Sequence, residues 1–299
     1  MRKNGRFFIY TMQAALIGAG FALLRMMPTD WASALGGFVA RSIGPLLSVS
    51  RVARRNLAEA FPEKTPAEIE RILRGVWDNL GRTGTEYAHL DRLWDMTPDG
   101  PVEGGRIREV IGVEHAFALR DDGKPAVLFT AHCGNWELLP IGAARHGVPL
   151  TVLFRTPNNP YSAALVKRIR RRSMGRLLPS GLMGTLAAAE AMDRGEHLGM
   201  LVDQYHTRGI EVPFFGRPVR TAPTLAKLAR RFDCPVVGAF VERLKGAQFR
   251  LVIMPPIEVP RTDDSHADER ALMAAVTKQI EDWVRPRPEQ WLWLHRRWR

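Results

Sequence analysis

The sequence has little of what would assign a function class at first sight. Cysteine is scarce: Cys133 and Cys234 are the two in 299 residues. They form no Cys-x-x-Cys pair and share no zinc-type spacing with histidine, so no metal site is expected. Both adjoin apolar runs, which predicts reduced, buried thiols suited to a cytosolic domain. Cys133 follows His132, but neighbours at a strand end point in opposite directions, which argues against a nucleophilic thiol. There is no Gly-x-Ser-x-Gly elbow and no Gly-rich nucleotide loop, so no covalent serine nucleophile and no nucleotide cofactor is expected. Internal repeats, low-complexity segments and a nucleic-acid recognition module are missing as well.

Acidic side chains are the other shortage. Asp and Glu number 31 against 43 Lys and Arg, a formal net charge of +12. Such an excess fits nucleic acid, an anionic membrane surface or an acidic substrate, and part of it can be ordinary surface charge. The length suits one large α/β domain or two small ones with a sizeable core.

The most apolar window, Phe7 to Leu24, is preceded by Arg2, Lys3 and Arg6 and followed by Arg25. Its length is at the lower end for a spanning helix, and an in-plane anchor or a cleaved signal are the alternatives. A second apolar stretch, Trp31 to Leu47, follows without a clear mature start, which favours an uncleaved anchor over residues 1–30. Arg41, Arg51, Arg54 and Arg55 behind it lean toward a cytoplasmic body.

Downstream, Arg51 to Phe61 reads as a basic helix. Thr65-Pro66-Ala67-Glu68 starts another, with a Thr cap, Pro at the first position and an acid at the third. From residue 126 strands and helices alternate. Strands are predicted at Ala126–Ala131, Leu150–Arg155, His197–Val202, Pro235–Val241 and Phe249–Met254, the last two joined through Lys245-Gly246. Helices are predicted at Trp136–Arg145, Tyr161–Met174, Thr185–Arg194, Thr221–Phe232 and Asp268–Val284, with a long loop from Gln204 to Arg220. The expected fold is therefore α/β, a largely parallel sheet flanked by helices, with an N-terminal membrane-anchoring helix.

Strand ends of a parallel sheet share one edge, where ligands bind. His132, Arg155 and Asp203 all stand at strand ends and should converge. His132 and Glu137, five positions apart, would point roughly 140° away from each other on one helix. A tight turn at Gly134-Asn135 instead lets the carboxylate fold back onto the imidazole, which fixes a tautomer and stabilises the cation, as a general base requires. On spacing alone, a His and a Glu that merely border a turn is the open alternative.

His132-Cys133-Gly134-Asn135-Trp136-Glu137 resembles the His-x4-Glu block of the bacterial lipid A late acyltransferases, within the His-x4-Asp/Glu lysophospholipid acyltransferase group. Phe154-Arg155-Thr156-Pro157-Asn158-Asn159-Pro160, with Arg168, Arg170 and Gly175 after it, resembles the second block. Asp203-Gln204, Gly209, Val212-Pro213-Phe214-Phe215-Gly216 and Thr221 resemble the third. Pro288 to Trp298 resembles the family's tail. The Phe-Pro-Glu-Gly-Thr-Arg block of the glycerolipid branch is absent after His132, and Thr156 stands where proline is usual.

The resemblance implies an O-acyltransferase domain over residues 31–299. It would move an acyl chain from acyl carrier protein to a hydroxyl of a lipid A precursor, at the cytoplasmic side of a bacterial inner membrane. His132 would be the general base, oriented by Glu137. Asn135, Arg155, Asn158, Asn159, Arg170, Asp203 and Gln204 would bind substrate, with Asp203 fixing Arg155 or the substrate itself. No cofactor or metal is implied beyond the thioester co-substrate. The run Lys167 to Arg172 is a solvated face or a phosphate clamp. Trp291, Trp293 and Trp298 are core residues or an interfacial belt. The rival readings are an acyltransferase on another glycolipid such as a mannoside, a non-catalytic basic membrane-binding protein, and a nucleic-acid binder.

Overall fold

A computed structural model describes residues 2–97, 100–154, 159–171 and 174–298. The first third is helical: α1 (Arg2–Met26), α2 (Thr29–Ile43), a 3₁₀ turn (Gly44–Leu46), α3 (Ser50–Ala60), α4 (Pro66–Glu86), a second 3₁₀ turn (Tyr87–His89) and α5 (Leu90–Leu93). Then β1 (Ile107–Ile111), α6 (Val113–Asp121), β2 (Val127–Thr130), α7 (Leu138–Arg145), β3 (Leu150–Phe154), α8 (Pro160–Arg171), β4 (Arg176–Pro179), α9 (Leu182–Asp193) and β5 (His197–Leu201) alternate. A hairpin of β6 (Ile210–Phe214) and β7 (Arg217–Thr221) precedes α10 (Thr224–Arg231), β8 (Val236–Arg243), β9 (Phe249–Ile257) and α11 (Ser265–Val284).

The apolar runs that read as strands become the middle of one seven-stranded sheet in the order β1-β9-β8-β2-β5-β3-β4. Every pairing in it is parallel except β8 with β9. Strands buried on both faces read as continuous apolar segments, which is why Val127–Thr130 and Val236–Val241 stood out in the sequence. The one antiparallel pair turns through Lys245-Gly246, with Gln248 N–H donating to the Lys245 carbonyl at 3.0 Å. The largest core cluster packs β2, β5 and β8 with α10 and α11, and draws in Trp291, Trp293 and Trp298, all at most 5% exposed. The tail tryptophans are thus core residues and not an interfacial belt.

The strands β1, β4, β6 and β7 and the helix α6 escaped the sequence reading. β1, α6 and β4 are short, and β1 and β4 lie at the two sheet edges, where one-sided pairing demands less apolar character. The stretch expected to be a loop from Gln204 to Arg220 contains the β6–β7 hairpin. Its Pro213 and Pro218 face each other across a two-stranded ribbon that has only edges, where proline is tolerated. Phe215 and Gly216 both take positive φ in its turn, at 52° and 70°.

The helix start at Thr65 is a complete capping box: the Thr65 side chain accepts from Glu68 N–H at 3.3 Å, and Glu68 accepts from Thr65 N–H at 2.8 Å. α4 carries α2 across it at very close range. A Cβ on Gly36 would lie 2.4 Å from the Gly81 carbonyl oxygen, so backbone meets backbone there. α1 is tied to the body by a bidentate Arg25–Asp91 pair and by Asn159, which donates to the Tyr10 carbonyl at 3.0 Å. Among the described residues no single helix is long and apolar enough to cross a membrane; α2 with its 3₁₀ turn and α3 pass that test only as a pair bent by 86°. Leu16, Leu23, Trp31, Phe38 and Leu46 are nonetheless exposed on these helices.

Candidate active site

β2 and β5 are neighbours in parallel register, with Thr130 opposite Leu201. Two residues further on each strand, His132 therefore stands opposite Asp203. The imidazole Nδ1 lies 2.8 Å from Asp203 Oδ1, and His132 N–H donates to Oδ2 at 2.8 Å. Trp291 Nε1 donates to the same Oδ2 at 2.8 Å. Asp203 is 1% exposed. Burial works against its charge, but His132 and the hydrogen bonds outweigh that and hold its pKa well below the usual carboxylate range. An ionised carboxylate only accepts, so Nδ1 carries the proton and Nε2 keeps its lone pair. Trp136 sets the ring's other face, edge-on to the imidazole with centroids 4.9 Å apart.

Glu137 does not take the place expected of it. Its carboxylate accepts from Trp136 Nε1 at 3.0 Å, from Arg170 Nε at 3.0 Å and from the Tyr87 hydroxyl, whereas the carboxylate on His132 is that of Asp203. The reason is local. Glu137 already has helical dihedrals, φ −68° and ψ −17°, and α7 begins directly after it. Its side chain therefore leaves toward α8 and the end of α4, not back over the turn. Pro140 falls in the first turn of this later-starting helix, where the missing N–H costs nothing.

The Glu137–Arg170–Tyr87 cluster is buried and tight. Burial alone would lower the Arg170 pKa, but the Glu137 charge and Tyr87 outweigh it and raise it. Burial, then the Glu137 charge, pushes the Tyr87 phenol well above its ordinary value. Tyr87 thus stays a neutral donor and Arg170 a fixed cation.

The turn between His132 and Glu137 is held from behind. Gly134 has φ +56°, and a Cβ there would lie 2.2 Å from the Val241 carbonyl oxygen. Its carbonyl accepts from Asn79 Nδ2 at 3.0 Å and Thr83 Oγ1 at 3.1 Å, both on α4. Asn135 lies just before α7 and is fully buried. Its Nδ2 donates to Glu86 Oε2 at 2.7 Å, and its Oδ1 accepts from Glu137 N–H at 3.3 Å. Glu86 is in turn clasped by both Nη atoms of Arg243, whose Nε donates to Asn79 at 2.8 Å. Asn135 is therefore a buried strut, its amide engaged by Glu86 and Glu137.

The remaining expected residues divide. Asp203 is at the centre, bound to His132. Asn159 caps α8, accepting from Tyr161 N–H at 3.0 Å while it holds α1. Gln204 is exposed, and its carbonyl accepts from Arg297 at 3.1 Å. Arg155 and Asn158 lie outside the described residues. The sequence reading missed Tyr87, Glu86, Arg243 and His295, whose Nε2 lies 3.2 Å from the Asp203 carbonyl. No motif marks the first three; parallel pairing of β2 with β5 was the one signal that could have joined Asp203 to His132. Cys133 is buried as expected, and burial, with the Asp203 charge second, raises its thiol pKa well above the ordinary value.

Beside the dyad an apolar pocket of about 130 Å³ lies between the sheet and helices α6 and α7. Trp136, Glu137 and Arg170 line it together with Val152, Gly199 and Leu128, and Trp94 and His146 are among its other lining residues. An oriented base next to a narrow apolar channel can serve a reaction on one end of a long hydrocarbon chain.

Comparison with known proteins agrees. The family model for bacterial lipid A biosynthesis acyltransferases matches residues 3–299. A lipid A biosynthesis lauroyltransferase of Escherichia coli is 27% identical over 257 residues, 84% of this chain and 79% of that protein. A lipid A biosynthesis acyltransferase of Haemophilus influenzae is 27% identical over 278 residues, 91% and 83% of the two chains. A phosphatidylinositol mannoside acyltransferase of Mycolicibacterium smegmatis is 25% identical over 297 residues, 94% and 89%. With a match spanning nearly its whole length, the chain belongs to the bacterial lipid A biosynthesis acyltransferase family.

Proposed function

We propose that this protein transfers a fatty acyl chain from acyl carrier protein to a hydroxyl of a lipid A precursor at the inner membrane. The observation that carries the reading is the His132–Asp203 dyad set beside an apolar cavity. His132 Nε2 takes the proton of the acceptor hydroxyl as the oxygen attacks the thioester carbonyl. The C–S bond then breaks, the acyl group stays on the acceptor as an ester, and the proton passes from His132 to the departing thiolate. Asp203 holds the tautomer and stabilises the imidazolium. Arg170, locked by Glu137 and Tyr87, supplies a fixed positive charge in the cavity's lining. The cavity takes the acyl chain. The exposed apolar residues of α1 and α2 are the anchor, lying in the plane of the cytoplasmic leaflet.

The test is transfer of labelled acyl groups from acyl carrier protein to a tetra-acylated lipid A precursor. Wild type should transfer, and His132→Ala, folded alike by circular dichroism, should lose ~10²–10⁴-fold in rate. Equal rates in both would sink the assignment of His132. The relative from Mycolicibacterium smegmatis, aligned over 94% of this chain, favours one second reading, a mannoside acceptor. Competition between the two acceptors in the same assay decides it.

A further inference from the structure

A second concavity lies on the far side of the tail segment. It is an open groove of about 1070 Å³ between α3, the start of β7 and the C-terminal tail. Its charged lining is Arg51, Arg55, Arg217 and Arg296 against a single acid, Glu59. Arg51, Arg55 and Glu59 follow one another at four-residue steps, so they form one stripe on α3. Glu59 is occupied by Arg217, which also stacks over the buried Trp298 ring at 5.4 Å. Among the described residues Arg51, Arg55 and Arg296 have no ion pair. Arg54, on another face of the same helix, is neutralised by Glu70. Like charges one helical turn apart destabilise a helix, so the groove concentrates positive charge at a cost to the fold and leaves it unanswered.

The surroundings say what kind of anion fits. Ser48 and Val49, at the groove's rim, directly follow Leu46 and Leu47, which are 84% and 46% exposed. A ligand with a phosphate among the arginines would have its apolar part beside these leucines. The groove shares no lining residue with the apolar cavity beside His132. It is joined to the dyad through the tail, where His295, between the groove residues Leu294 and Arg296, touches Asp203. We propose that this groove is a separate binding site for the phosphate headgroup of an anionic membrane phospholipid, seating the protein on the lipid surface. The site does not depend on the acyl-transfer reading.

The experiment is flotation of the full-length protein with phosphatidylcholine vesicles, with and without phosphatidylglycerol. Wild type should prefer the anionic vesicles. Arg51→Gln/Arg55→Gln/Arg296→Gln should lose that preference, by roughly fivefold per arginine, while keeping its binding to neutral vesicles and its melting temperature. Arg145→Gln/Arg208→Gln/Arg270→Gln, three exposed arginines elsewhere that remove the same charge, should keep most of it. Equal losses in the two triple variants would overturn the proposal in favour of general surface charge. So would abolition of the preference by millimolar glycerol phosphate, which would assign the groove to a soluble phosphate. Acyl transfer to a detergent-dispersed acceptor should be unchanged in the groove variant; a large loss there would make the acceptor the occupant and overturn the separate site. Failure of wild type to transfer at all would count against the acyltransferase reading and leave the vesicle result standing.

Discussion

Two carboxylates near His132 have different jobs, and substitution separates them. Asp203→Asn keeps the shape but replaces an acceptor with a group that can present N–H to Nδ1, so the productive tautomer is lost. Acyl transfer should fall ~10²–10⁴-fold, more than the accompanying drop in melting temperature accounts for, since the buried carboxylate also contributes stability. Glu137→Gln leaves Arg170, 14% exposed, without its charge partner. Breaking a buried pair costs about 3–5 kcal/mol, so this variant should show a clearly lowered melting temperature, read by thermal unfolding, alongside its loss of activity. A stable, active Asp203→Asn protein would remove Asp203 from the mechanism. Cys133, one residue from the base, should by contrast be inert. Its thiol is buried and disfavoured as thiolate, so N-ethylmaleimide should label it only after unfolding, as mass spectrometry of native and denatured protein would show.

At the scale of elements, the site is a joint between α4 and the strand ends. α4 supplies Asn79, Thr83 and Glu86 to the turn after His132, and α2 closes on α4's other side, where Ser33 Oγ donates to Glu86 at 2.7 Å. The close approach at Gly36 is what lets Ser33 reach. Gly36→Val would place a branched side chain against the Gly81 backbone and should separate the two helices. We expect a loss of about 1–3 kcal/mol in unfolding free energy and a fall in acyl transfer larger than stability alone explains. A variant that melts normally and works normally would show that α2 is not coupled to the turn. The capping box at Thr65 and the alternation of strands with helices were readable in advance, because caps and apolar periodicity are local. The β6–β7 hairpin was not, because two opposed prolines disguise a ribbon that needs no interior hydrogen bonds on its outer sides.

For the molecule as a whole, acid is the informative variable. Asp203, Asp78 and Glu196 have pKa values below their ordinary ones: burial opposes their charge, and hydrogen bonds and cationic neighbours outweigh it. A depressed folded-state pKa contributes stability that is fully present above the unfolded value and is lost as pH falls through the folded one. Unfolding free energy should therefore begin to fall below about pH 6.5, where His89, His146, His197 and His295, held below their ordinary value mainly by burial, take up protons first in the unfolded chain, and fall steeply below about pH 4, where unfolded carboxylates bind protons as well. Urea titrations between pH 3 and 7 would check this, and a protein equally stable across that range would contradict it. The net charge of +12 adds to the slope, since protonating acids leaves the bases to repel one another.

The chain alone determined the α/β layering, the edge on which the site lies, the convergence of His132 with Asp203, and the family. Each of these rests on local pattern: apolar periodicity, turn residues, and motif order. Which carboxylate faces the imidazole was decided only in three dimensions. Register between β2 and β5 sets it, and register is a property of two strands about seventy residues apart, whereas Glu137 was near in sequence but turned away by the helix it opens. The buried clasp of Glu86 by Arg243 lies 157 residues apart along the chain, and no spacing rule spans that distance. The arginine groove is the same kind of fact, since α3, β7 and the tail meet there only because the tryptophans of the tail are packed into the core.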